Sequence, residues 1–294
     1  VSGPRAAWLS ARAAGLGLAL AAIASAAIAA GPADPVAGSG EVADAALPRW
    51  EVGVAAGVGH VPDYPGAGRS RTRAIALPFV VYRGPVLRID QQGMRGRVID
   101  RPDWEFDLTA SGAFDARGNR LREGMPALDF LFGVGPQWIY KGWQRRSDGP
   151  TLHLKLRALV STDFSTVDRH GFSVDPELRW RLDGVAGTPA TLTLSLQPSW
   201  GSRDATAYFY EVTPSQATAT RPAWRARAGY LGTTVGATLS HRASRDWSWF
   251  ATARAMSLHG AANAGSPLLA DRGELTLGAG VVWTPWRSRA AAAD

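Results

Sequence analysis

The sequence predicts an all-β protein, an antiparallel transmembrane β-barrel of about 12 strands that follows an N-terminal export signal. Three observations carry that reading. Apolar and polar residues alternate over runs of ten or more, aromatic residues gather at the ends of those runs, and the chain opens on an apolar leader. Alternation is the mark of strands, because successive side chains point to opposite faces of a sheet.

In the leader, Arg5 and Arg12 precede a charge-free apolar stretch over 13–30 that ends in Ala27-Ile28-Ala29. A basic start, an apolar run and a small-residue A-x-A site make a secretory signal peptide. Residues 1–30 are therefore expected to be removed, with cleavage at Ala29 or Ala30. The rival reading, an uncleaved anchor, suits the length of the run but not its alanine and glycine content. Residues 31–48, rich in Gly, Pro, Ala and Asp, read as an irregular periplasmic lead-in. The barrel is expected over 49–286, with a C-terminal tail at 287–294.

Within the barrel, Trp50, Val52, Val54, Ala56 and Val58 oppose Glu51, Gly53, Ala55, Gly57 and Gly59. Leu152, Leu154, Leu156 and Ala158 alternate with His153, Lys155 and Arg157, and Phe172, Val174, Leu178, Trp180 and Leu182 alternate with Ser173, Asp175, Glu177, Arg179, Arg181 and Asp183. A soluble sandwich also alternates, but its strands are typically about 5–6 residues long. A membrane strand needs about 9–11 tilted residues. Trp50, Trp104, Trp138, Tyr140, Trp180, Trp200, Trp247, Trp283 and Trp286 sit near run ends, where interfacial girdles belong. An open sheet edge in hydrocarbon leaves backbone groups unpaired, so the strands are expected to close.

Twelve runs are read near 50–60, 71–83, 85–91, 94–101, 103–113, 127–141, 150–163, 170–183, 189–202, 233–243, 246–258 and 273–286. The count depends on a tight turn at Gln92-Gly93; without it a strand must be sought in 222–231. With the N-terminus periplasmic, the long connections 61–70, 114–126, 203–232 and 259–272 face outward and the short ones inward. That is the asymmetry of bacterial outer-membrane barrels, and it places the chain in the outer membrane of a Gram-negative bacterium, against lipid and lipopolysaccharide.

The chain has 294 residues and a net charge of +7, carried by arginine apart from Lys141 and Lys155. It has no cysteine, which excludes disulfides, thiolate metal sites and a lipidated cysteine anchor. No H-E-x-x-H, G-x-S-x-G or phosphate-binding glycine loop occurs after the leader, and the histidines are too scattered for a metal cluster. No cofactor, metal or catalytic site is expected. Asp168 and His170, with His153, are the best candidates for Ser/His-type chemistry, and His153 reads better as a lumen-facing residue beside Lys155 and Arg157. Asp103, Glu105 and Asp107 invite a glycosidase reading, but acids opposed by Arg179 and Arg181 fill a polar lumen equally well. Nucleic-acid binding is rejected, because no basic stripe interleaves with the aromatics.

Several segments, in order along the chain, resemble the MipA/OmpV family of outer-membrane proteins. They are Pro62-Asp63-Tyr64-Pro65-Gly66, Leu77 to Gly84, Gly133-Val134-Gly135-Pro136, Tyr208-Phe209-Tyr210-Glu211-Val212-Thr213-Pro214 and Ser266-Pro267-Leu268. Glu211 stands where glycine is usual, and residues 287–294 extend past the usual aromatic end. The resemblance implies a scaffold that brings together a murein lytic transglycosylase and a murein synthase. Other members are described as osmotic-response porins or adhesins, so a narrow channel and a loop-borne adhesin remain open. For a scaffold, the best-equipped inward turn is 142–149, where Trp143, Arg145 and Arg146 are the candidate partner contacts. The bland alternative places Trp143 in the inner aromatic girdle.

Overall fold

The computed structural model describes residues 48–289 apart from 84–86, 91–92, 114 and 146–148. Ala29, Ala30 and the expected lead-in up to residue 47 lie outside the described residues. The strands are β1 (Trp50–Pro62), β2 (Ser70–Arg83), β3 (Leu87–Asp90), β4 (Gly93–Asp100), β5 (Trp104–Ala113), β6 (Phe130–Tyr140), β7 (Thr151–Thr162), β8 (Val167–Asp183), β9 (Ala190–Gly201), β10 (Gly229–Arg242), β11 (Trp247–Ser257) and β12 (Gly273–Arg287). Among the described residues one α-helix, α1 (Arg203–Tyr210), lies between β9 and β10. Each strand pairs antiparallel with its sequence neighbours, and β1 pairs with β12 to close the ring. Ten strands are long enough to cross a bilayer, whereas β3 has 4 residues and β4 has 8.

The wall is inside out relative to a soluble protein. On β7, Leu154 and Leu156 are 44% and 45% exposed, while His153 and Lys155 between and beside them are buried. On β8, Phe172 and Leu182 are exposed, and Ser173, Asp175 and Glu177 are buried. The apolar face therefore meets the surroundings and the polar face meets the lumen, which suits hydrocarbon outside.

Aromatic residues mark both edges of the apolar band. At the short-turn end Trp247 stacks on Trp283 at 5.9 Å, Trp283 meets Trp286 at 5.9 Å, and Trp138 stacks on Tyr140 at 6.0 Å. At the long-loop end Trp200 meets Tyr230 at 5.7 Å and Phe130 meets Phe164 at 5.3 Å. Phe172 and Trp180, one at each edge of β8, are separated by about 26 Å along the strand, or about 20 Å along an axis tilted by about 40°.

Two glycines are required by close approach. A Cβ on Gly53 would lie 1.8 Å from the Trp283 carbonyl oxygen, at the register shift where β1 meets β12. A Cβ on Gly135 would lie 2.0 Å from the Leu156 carbonyl oxygen. Neither Gly135 nor Pro136 has a Cα partner on β7, so the missing N–H of Pro136 costs the wall nothing on that side.

Three local expectations are corrected. The ladder of β3 and β4 closes on Asp90 paired with Gly93, so Gly93 belongs to a strand and not to the turn expected at Gln92-Gly93. The segment 203–232 is not all irregular: it opens with α1, and β10 begins at Gly229. Ser202 caps α1 by accepting from Ala205 N, and Asp204 lies in its first turn, where an anionic side chain is favoured.

The facing assignment predicts that Leu154→Arg, which puts a charge on the lipid side, costs about 2–4 kcal/mol of folding free energy in bilayers. Thr238→Ala, which removes one lumen hydrogen bond to Thr252, should cost about 1 kcal/mol. Reversible unfolding from vesicles measures both, and the opposite order would contradict the assignment.

Candidate functional site

The lumen is braced on one side by charge. Lys155 on β7 donates to Glu177 on β8 and, at 3.2 Å, to Gln197 on β9. Arg179 donates to the same Glu177 at 2.8 Å, and Arg157 meets Asp175 at 3.1 Å. Ser173 gives Asp175 a further hydrogen bond of 2.8 Å. These charges are desolvated and paired, which is the condition for tolerating them away from water. The opposite wall is small: Gly57 faces Gly280 and Gly59 faces Gly278 across the seam of β1 and β12. Towards the short-turn end Phe79, Val282 and Ala55 form an apolar cluster.

The long-loop end is covered. Tyr64 and Ala67 from the β1–β2 loop, Ala116 and Leu128 from the β5–β6 loop, Tyr210 of α1 and Leu269 from the β11–β12 loop form one buried apolar cluster. These loops leave the ring at points spread around its circumference, so they meet only by crossing the mouth. Polar contacts lock them. Tyr64 Oη donates to Leu268 O, Tyr210 Oη to Pro65 O, and Ser266 Oγ to Tyr210 O, each at 2.8 Å. Asn119 Nδ2 donates to Asp63 Oδ2 at 3.0 Å, and Arg122 donates to Phe209 O at 3.0 Å. Arg221 donates to Leu121 O at 2.9 Å and to Glu123 O at 2.8 Å. Asn263 Nδ2 and Oδ1 bind both backbone groups of Arg227.

Burial dominates the ionisation of this cap. It pushes the Tyr64 phenol up to about 12, opposed by the neighbouring Arg122 guanidinium. Burial likewise raises Tyr208 to about 12 and raises Tyr210 further, while it lowers Arg122.

At the short-turn end, Gly142–Arg145 form a 3-10 turn, held by Gln144 N donating to Lys141 O at 2.9 Å. Trp143 is 44% exposed and sets its edge against Tyr140 at 5.2 Å. The stack Trp138–Tyr140–Trp143 continues the aromatic girdle past the end of β6. Only the backbone of Arg145 is described, and Arg146 lies outside the described residues.

The chemistry candidates separate. His153 is buried in the lumen and bonds Thr151 Oγ1 at 2.9 Å. His170 Nε2 meets Ser161 Oγ at 2.8 Å, a nucleophile-to-base distance. Ser161, however, is 3% exposed, and the Tyr208 ring lies 4.2 Å from the His170 ring in the cap. Among the described residues no carboxylate is bonded to the His170 Nδ1 to orient it. Asp168, paired across the ladder with Ser161, brings no third member. The acids of β5 are not opposed by Arg179 and Arg181 as expected. Glu105 pairs with Lys141 at 3.2 Å, and Asp107 lies opposite Arg97 in the ladder. Arg179 and Arg181 take Glu177 and Asp183 on their own strand, because same-face neighbours two residues apart are closer than residues several strands away.

The cap is the feature that sequence reasoning missed. Three of its parts, the segments 62–66, 208–214 and 266–268, carry the family resemblance but lie some 55 to 200 residues apart.

An alkaline test follows from the tyrosines. A phenol raised from 10.0 to about 12 favours the folded cap fully below pH 10 and loses that contribution as pH climbs towards 12. Protease cleavage of the cap loops in detergent-held barrel should increase through that window, with these tyrosines ionising late in an ultraviolet titration. Cleavage unchanged up to pH 12 would contradict it.

No curated protein matches the sequence. Among solved structures the chain is similar to one described as the NanC porin in a rhombohedral crystal form. That match is 11% identical, covers 78% of this chain and 98% of the other, and has a TM-score of 0.40. The family model described as MltA-interacting protein MipA matches residues 53–285, from within β1 to within β12. The chain belongs to the MltA-interacting protein MipA family.

Proposed function

We propose that this protein is a non-catalytic outer-membrane barrel that holds periplasmic murein-remodelling enzymes at the membrane. The observation that carries the reading is the four-loop cap across one mouth. A mouth packed shut by apolar side chains suits a platform better than a pore, and leaves the short-turn end as the face for partners. The long-loop end then faces outward, with lipid around the apolar band and the arginine-rich loop rim near lipopolysaccharide phosphates. The family's name supports an MltA-type lytic transglycosylase as one partner, and the resemblance to the MipA/OmpV family implies a murein synthase as the second. The turn over 142–149 is the candidate contact, since Trp143 is exposed there and Trp and Arg are over-represented at interface hot spots.

The narrow-channel reading is favoured by one observation: the seam of β1 and β12 is lined on the lumen side by Gly57, Gly59, Gly278 and Gly280, which take little of the lumen's width. The two readings part on whether ions cross the barrel.

The scaffold is tested by pull-down of purified lytic transglycosylase on wild-type barrel and on a Trp143→Ala, Arg145→Ala, Arg146→Ala variant that inserts normally. Capture by wild type that falls at least tenfold in the variant is expected. Undiminished capture removes this turn from the interface, and no capture by wild type overturns the scaffold.

A further inference from the structure

The charged wall of the lumen carries more cations than its carboxylates can serve. Glu177 already receives Lys155 and Arg179, and Asp175 receives Arg157 and Ser173. A fourth cation, Arg254 of β11, approaches the same group. Around the wall the ladder runs Arg179, Ser195, Gly236, Arg254 as successive cross-strand partners. Gly236 lies beneath the arginine: a Cβ there would lie 2.6 Å from Ser195 Oγ and 3.5 Å from Arg254 Cγ. The Arg254 side chain therefore lies across Gly236, within electrostatic reach of both Glu177 and Arg179.

Arg254 has no hydrogen-bond or ion-pair partner among the described residues. The Nε groups of Arg179 and Arg157 are buried and likewise without acceptors. Other acids are occupied. Glu274, inward on β12, accepts from Gly66 N at 2.7 Å in the cap, and Asp107 is engaged on the far side of Gln137. Four cations thus share two carboxylates, and the Arg254 guanidinium and the Nε groups of Arg157 and Arg179 are left without acceptors. Like charges gathered away from bulk water repel strongly, and buried donors left without acceptors cost stability. A planar or tetrahedral oxyanion answers both, because guanidinium forks bind carboxylate and phosphate through paired N–H groups.

We propose that the lumen binds one small oxyanion, a phosphate or carboxylate group, between Arg254 and Arg179. This goes beyond the scaffold and does not depend on it. A bound ion that leaves with unfolding raises stability whether it enters during assembly or afterwards.

The test is thermal unfolding of purified, detergent-held barrel refolded in phosphate, acetate or chloride at matched ionic strength. In wild type the melting temperature should rise and saturate with phosphate or acetate but not with chloride. Whichever of the two saturates at lower concentration identifies the preferred group. Arg254→Gln should abolish the saturable rise, whereas Arg225→Gln, which removes the same charge from an exposed loop, should keep it. A rise of equal size in Arg254→Gln, or one that never saturates, would overturn the site, since that is how general salt effects behave. Should Arg254→Gln fail to refold, equilibrium dialysis of radiolabelled phosphate and radiolabelled acetate against wild type decides. One ion per barrel is expected with at least one of them, and no saturable uptake of either overturns the proposal.

Discussion

The structure depends on one constraint, that every backbone N–H and C=O crossing hydrocarbon must find a partner within the wall. An unpaired group there costs several kcal/mol, and the pairing of β1 with β12 removes the last open edges. The seam is built for that closure. Gly53 lets the Trp283 carbonyl approach, Ser288 N donates to Trp50 O at 2.9 Å, and Arg287 meets Asp246 at 2.8 Å beside it. Once the ring closes, alternate side chains can point only to lipid or to lumen, so the interior has to be polar and has to neutralise itself.

That second requirement explains the arrangement of charge. Lys155, Arg157 and Arg179 occur on neighbouring strands at the same height as Asp175 and Glu177, so the pairs form without long-range reach. The opposite wall needs less bracing, because the middle of its seam is lined by Gly57, Gly59, Gly278 and Gly280. The asymmetry leaves the interior cationic on one side, and it leaves the arginine of β11 without a carboxylate.

The period of two was legible in the sequence because it arises from strand geometry and repeats along each wall segment. The inward face of β8, from Ser173 to Asp183, could be read residue by residue. Which acid each cation takes was not legible, since that follows from cross-strand register, as the Glu105–Lys141 pair illustrates. α1 was missed because 8 residues hold barely two helical turns, though Ser202 before Asp204 is a capping signal that could have been found. The cap has no period at all. Tyr64 and Leu268 meet across 204 positions, and only the folded ring brings them together. Arg254 was overlooked among the alanines of β11, although Thr252, Arg254 and Met256 alternate with Ala251, Ala253 and Ala255.

The two ends of the barrel therefore differ in kind. One is crossed by loops that bury tyrosines in a shared apolar cluster, and the other presents short turns and an aromatic rim. As the proposed scaffold, the protein would work by holding its surfaces at a membrane, and transport through it would require the cap to part. Single-channel recording on the purified barrel in planar bilayers tests that claim most directly. Wild type is expected to be silent across the usual voltage range. Steady, stepwise current from wild type would contradict it.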